Sequence, residues 1–147
     1  MQPCTTATGR SSATGGAAWT GRILSGIVVL FLLLDGGMKL VPLQVVTDAA
    51  RQLGWPADPA TWRALGAVLI GSALLYAYPR TAVLGAILIT AYLGGAVATH
   101  VRIGSPLFSH TLFGVYVGGL AWGGLWLRET RLRALVPLYG PNPEQTR

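Results

Sequence analysis

Two charged residues interrupt a strongly apolar stretch: Asp35 and Lys39 lie within ILSGIVVLFLLLDGGMKL, residues 23–40. Their i, i+4 spacing, acid first, puts both on one helix face in the order that best supports an ion pair. A lone charge at the centre of a bilayer costs about 2.5–3.5 kcal/mol on insertion scales, so such groups usually face a protein interior and find a partner. Two readings follow. In one, Lys39 snorkels to the outer interface and Asp35 neutralises it. In the other the pair lines a pocket, where Asp35 is the candidate catalytic group as a proton acceptor.

Arg63, Tyr92, His100, Arg102 and His110 are the other side chains able to do chemistry near that pair. If successive apolar segments run in opposite directions, the four basic residues fall at the depth of Asp35 and Lys39 and form a polar rim at one mouth of an apolar bundle. A concave, mostly apolar site with a few polar groups suits an amphipathic ligand such as a quinone or a lipid. Lys39, Arg63 and Arg102 outweigh Asp35 there, which favours an anionic or carbonyl-bearing head. Tyr92, inside a span, is either a wall residue or a packing residue with a hydroxyl partner. No metal site is expected, because the two histidines are ten residues apart and lack HExxH spacing. No nucleophile elbow, phosphate loop or dinucleotide fingerprint occurs.

The elements that must position these residues follow from composition. The chain has 147 residues, of which 52% are hydrophobic and only 11% charged, against roughly 25% charged in an ordinary soluble domain. Its mean hydropathy is +0.52. Such a surface calls for lipid as its solvent. The net charge of +6 does not indicate nucleic acid, because ten Arg and one Lys are scattered at the ends of apolar stretches, with no basic stripe. The single cysteine, Cys4, excludes an intramolecular disulfide and a Cys-x-x-Cys pair.

Residues 1–18 lack an apolar run and are expected to be a disordered tail. Trp19 to Val41 reads as a first transmembrane helix. Val46, Ala49, Ala50 and Leu53 fall at helical spacing, with Asp48 and Arg51 turned away and Gly54 as the stop, which predicts a short interfacial helix between spans 1 and 2. Asp58 and Pro59 form an N-cap and first-turn signal for a second span to Tyr78. Pro79 and Arg80 allow only a tight turn before a third span, Thr81 to Thr99. After Gly104, Ser105 and Pro106, a fourth span runs from about Leu107 or His110 to Leu127. The fold class expected is all-α, an integral membrane four-helix bundle with up-down-up-down order. Seven basic residues on the side of the termini against four opposite place both termini in the cytoplasm.

Gly114/Gly118, Gly119/Gly123 and Ala91/Gly95 are small-x-x-x-small pairs, which serve packing within the bundle or a homodimer. Trp55, Trp62, Tyr76, Tyr78, Trp126 and Tyr139 lie near segment ends and read as markers of headgroup depth.

The segment YLGGAVATHVR, Tyr92 to Arg102, together with RILSGIVVLFLLLDGGMKL, the GWP turn at Gly54–Pro56 and the basic end after Leu127, resembles the DoxX-like family of small prokaryotic membrane proteins. The likeness covers about Arg22 to Pro137. It implies a four-helix inner-membrane domain at 19–137, followed by a cytoplasmic tail at 138–147. Lys39, Tyr92, Gly94, Gly95, His100 and Arg102 match the family pattern. The family takes its name from a membrane subunit of a thiosulfate:quinone oxidoreductase. The resemblance thus implies a membrane subunit or partner of a redox-related assembly, with a quinone-linked or lipid-handling enzyme as the alternative. The resemblance also implies that many relatives carry a glutamate where this chain has Leu69, so this chain either lacks that acid's role or moves it to Asp35.

Overall fold

A computed structural model describes residues 12–41, 44–55, 58–106, 108, 111–129 and 132. The described elements are helices: α1 (Ser12–Leu40), α2 (Gln44–Gln52), α3 (Pro59–Ala77), α4 (Ala82–Arg102) and α5 (Phe113–Arg128). Three of them supply segments long and apolar enough to cross a membrane, Gly15–Leu40, Pro59–Ala77 and Ala82–Arg102. Large apolar residues such as Ile27, Leu30, Leu34, Leu84 and Ile87 stand exposed, which is the surface expected of a protein solvated by hydrocarbon.

The helix boundaries have local causes. Asp58 caps α3, its carboxylate accepting from the Thr61 amide and hydroxyl, each at 3.0 Å, with Pro59 in the first turn. These bonds hold the Asp58 carboxyl below its usual range, the Thr61 amide being the largest cause. The Pro79–Arg80 turn is closed by the Thr81 amide on the Tyr78 carbonyl, 3.1 Å, and by the Thr81 hydroxyl on the Leu75 carbonyl, 2.8 Å. Both features follow the sequence expectation.

Two boundaries do not. α1 begins at Ser12, seven residues inside the segment expected to be a disordered tail. Extending an established helix adds one hydrogen bond for each residue fixed, so the apolar run carries the weaker Ser/Thr/Gly/Ala segment with it. The Thr20 hydroxyl adds a bond to the Gly16 carbonyl at 3.1 Å. At the other end, α5 has only 16 residues, about 24 Å at 1.5 Å per residue, where a fourth span of about 20 had been expected. Its start is delayed because the Thr111 amide reaches back five residues to the Pro106 carbonyl, 3.3 Å, a wider turn than an α-helix makes.

α1 packs against α3 and α5, and α4 packs against the same two. The N-terminal part of α1 meets the C-terminal ends of α3 and α5: Ser25 bonds Tyr76, and Gly21 lies against Gly124 and Leu127. Gly36 and Gly66 bring α1 and α3 together at the opposite end, where a methyl group on Gly66 would lie 2.7 Å from the Gly36 carbonyl oxygen. α3 and α4 touch most closely at Gly85, whose missing side chain leaves room for the Tyr76 backbone. The core runs between these contacts through Val28, Leu32, Leu69, Ala73, Tyr76, Ala86, Ile89, Val117, Ala121 and Leu125.

The glycine pairs divide. Gly114 abuts Leu93 and Val97 of α4, and Gly118 lies near Leu93, so this pair serves internal packing. Around Gly119, Gly123 and Gly95 a methyl group would meet nothing within 4 Å.

Candidate functional site

Near the C-terminal ends of α1 and α4 the helices form a partly open cavity of about 400 Å³. Two stripes face it. On α1, Phe31, Asp35 and Lys39 follow one another at i, i+4 and i+8; on α4, Tyr92, Ala96 and His100 do the same. Both stripes turn from aromatic to ionisable toward the helix C-terminus, where cationic side chains also complement the helix dipole. Trp62 and Leu65 of α3, with Phe113 and Gly114 of α5, complete the walls, and Leu53 and Trp55 lie at the α2 end.

The Lys39 ammonium donates to the Asp35 carboxylate at 2.5 Å, and the two side chains are 16% and 30% exposed. Lys39 and Asp35 both line the cavity. Gly66 gives Lys39 room: a methyl group there would lie 3.0 Å from the Lys39 Cβ. Across the cavity His100 pairs through Nδ1 with the Ser105 hydroxyl at 3.1 Å.

The same turn closes two helices beside the cavity. At the end of α2 the Trp55 amide donates to the Ala50 carbonyl, 2.9 Å, and the Gly54 amide to Arg51, 3.1 Å. At the end of α4 the Ser105 amide donates to His100, 3.0 Å, and the Gly104 amide to Val101, 3.1 Å. Each turn needs a left-handed residue, and Gly54 and Gly104 both sit at φ +66°. Arg102 links the two turns, donating to the Leu53 carbonyl at 3.1 Å.

Of the residues singled out from sequence, Asp35, Lys39, Tyr92 and His100 line one cavity. Arg102 stands beside it and holds the α2 end. Arg63 is exposed on α3 and does not line the cavity; its neighbour Trp62, 8% exposed, does. One position separates them, and on a helix that is a turn of 100°, enough to carry Arg63 off the wall. His110 lies outside the described residues, as do residues 133–147 with Tyr139. Trp55 and Trp62, expected to mark depth, are cavity walls. The signal available was their position on either side of the Asp58 cap, close to the ends of α1 and α4. Leu69 is fully buried in the core, with Leu65 of the same helix on the cavity wall instead. Among the described residues no three His, Cys, Asp or Glu side chains gather where they could hold a metal ion.

The arrangement offers a hydrogen-bond donor, a carboxylate and an imidazole at one end of an aromatic and aliphatic chamber. Its volume lies within the range of about 300–1,000 Å³ common for small-molecule sites. Among known proteins, the family model described as DoxX-like matches residues 23–124, a stretch that contains every cavity-lining residue. No curated protein and no solved structure matches the chain.

Proposed function

Because the chain belongs to the DoxX-like family and is a membrane protein with apolar helices, we propose that it binds an amphipathic molecule, seating a carbonyl-bearing or anionic head against Lys39 and Asp35. The observation that carries this reading is the ion pair itself, drawn in from the surface to form one wall of a cavity otherwise lined mainly by aromatic and aliphatic groups. Holding two charges in such a place costs solvation free energy that their mutual bond offsets only in part. Lys39 donates to the head and Asp35 balances its charge. Tyr92 and His100 contact the head from α4, and the indoles of Trp55 and Trp62 pack on it.

A quinone is one molecule of this class, and Asp35, as the proton acceptor, would take the hydroxyl proton of its reduced head while Lys39 keeps the pair's positive charge. The fold in this reading is a four-span up-down-up-down bundle in the inner membrane, with α5 as the fourth crossing and α2 at the outer interface. The excess of arginine on the side of the termini supports a cytoplasmic location for both. The test is equilibrium binding of a quinone analogue to protein in lipid nanodiscs. Asp35→Asn and Lys39→Met should each abolish binding while the helical circular dichroism is retained; unchanged affinity in both variants would end the reading.

A second reading, a membrane subunit of a redox-related assembly or a homodimer, is supported by the open Gly119 and Gly123 on α5, which offer a close-packing face to another helix. Gentle extraction should then retain a second polypeptide or a second copy, and Gly119→Leu should release it. A chain that remains alone under every mild detergent counts against this second role.

A further inference from the structure

The two ends of the cavity wall face different media. α5 starts at Phe113, and the Phe113 ring meets Phe31 edge-on, with centroids 5.4 Å apart and planes at 67°. Phe31 stands nine residues before the end of α1 at Leu40, about 13 Å of helix. The short α5 thus begins well below the end of α1, and at that level two phenylalanine rings bridge the helices. Both rings line the cavity, and both are also exposed, 38% for Phe31 and 46% for Phe113. On the same faces Ile27 and Leu34 of α1 and Tyr116 and Leu120 of α5 are also exposed, so that in a membrane-spanning bundle the rings adjoin hydrocarbon. At the α2 end Trp55 is also 38% exposed, but the turn that carries it is fastened by the Arg102 bond to the Leu53 carbonyl and by the Trp55 amide on the Ala50 carbonyl.

From Phe31 the α1 stripe leads inward through Asp35 to Lys39, so polarity rises continuously along one wall. A molecule following that stripe leaves its apolar part between the rings and brings its polar part to the ion pair. Two phenylalanines make a portal that a lipid-dissolved chain can part at small cost, because an edge-to-face pair adds little beyond the area it buries.

The geometry points to lateral loading: the ligand enters from the bilayer between Phe31 and Phe113, and does not enter from water past Trp55. The ligand is therefore a membrane-dissolved molecule with a tail that remains in the portal. This rests on the ligand-binding reading above and adds the route and the tail.

The test mixes protein in nanodiscs with vesicles carrying a decyl-chain naphthoquinone and follows tryptophan quenching by stopped flow. The cavity phase is the one lost in Trp55→Phe/Trp62→Phe. Phe31→Ala/Phe113→Ala should accelerate that phase several-fold while its final amplitude is kept, and Phe31→Leu alone should move the rate in the same direction. Arg102→Gln should leave the rate unchanged. A tail-less sulfonated naphthoquinone supplied from water should give no cavity phase at equal concentration. Acceleration by Arg102→Gln without acceleration by the phenylalanine variants, or equally fast loading of the tail-less compound, overturns the lateral route and leaves the binding reading standing. Absence of a cavity phase with either compound in the unaltered protein overturns both.

Discussion

Arg128 holds Tyr76 in two ways: its guanidinium carbon lies 4.8 Å from the ring centroid, and its Nη2 donates to the Tyr76 carbonyl at 2.7 Å. That carbonyl belongs to the last turn of α3, where no helical amide remains to satisfy it. The fully buried Tyr76 hydroxyl in turn donates to the Ala121 carbonyl at 2.7 Å and shares a 2.9 Å bond with Ser25. One side chain on α3 therefore fastens α1 and α5 at the end away from the cavity.

Removing that hydroxyl should weaken the fold without touching the site. Tyr76→Phe is expected to lower the unfolding free energy by about 1–2 kcal/mol, the cost of one buried bond plus a partner left wanting. Denaturation in detergent measures the loss. Affinity for a quinone analogue should stay at the level of the unaltered protein.

The Asp35–Lys39 pair should behave as a unit. A double-mutant cycle with Asp35→Asn and Lys39→Met is expected to give a coupling of about 0.5–3 kcal/mol in stability, because either group left alone keeps an uncompensated charge against apolar walls. Additive effects of the two substitutions would show that the bond contributes little.

Close approach and open space should separate two glycines that look alike in sequence. A methyl group at Gly85 collides with the Tyr76 backbone, whereas at Gly119 it meets nothing within 4 Å. Gly85→Ala should destabilise by about 1–3 kcal/mol through overpacking. Gly119→Ala should be neutral, or stabilising by up to about 1 kcal/mol through helix propensity. Paired thermal melts decide between these signs.

Acid should loosen the start of α3 before the rest. The Asp58 carboxyl is lowered from its ordinary 3.8 by the Thr61 bonds, so its capping contribution is present in full above that value and fades as pH falls through the folded-state pKa. The protection of the Thr61 amide, its exchange rate divided into the intrinsic rate at the same pH, should fall across that lower window in the unaltered protein, while in Asp58→Ala it should be low at every pH.

Much of the scaffold was legible from residue order. The apolar runs located α1, α3 and α4; the Asp58–Pro59 pair gave the start of α3; Gly54 and Gly104 marked the turns that end α2 and α4. The i, i+4 spacing of Asp35 and Lys39 singled out that pair, the alternating direction of the spans brought His100 to its depth, and Tyr92 stood as a wall or packing residue; all four line the cavity. Partner-dependent features were not legible. An aromatic residue near the end of a helix reads the same whether it meets headgroups or a neighbouring helix, so Trp55, Trp62 and Tyr76 could be placed only once their neighbours were known. The late start of α5 depends on one wide turn at Pro106–Thr111, which residue types alone do not encode. Whether a glycine pair packs inward is a matter of rotation about the helix axis, and Gly114/Gly118 and Gly119/Gly123 differ by about 140° in that rotation.

The absence of any side chain on Gly85 pins α3 to α4 beside Tyr76, far from Lys39. That pivot leaves α3 and α4 free to part at their other ends, as in a pair of tongs, while Gly36 and Gly66 keep α1 against α3 there. A guest arriving near the ion pair would be accommodated by divergence of the helix tips there, with little displacement transmitted to the Arg128 end. Spectroscopic labels meant to sense occupancy belong on the tips of α1 and α4, and labels at the pivot provide the stationary reference.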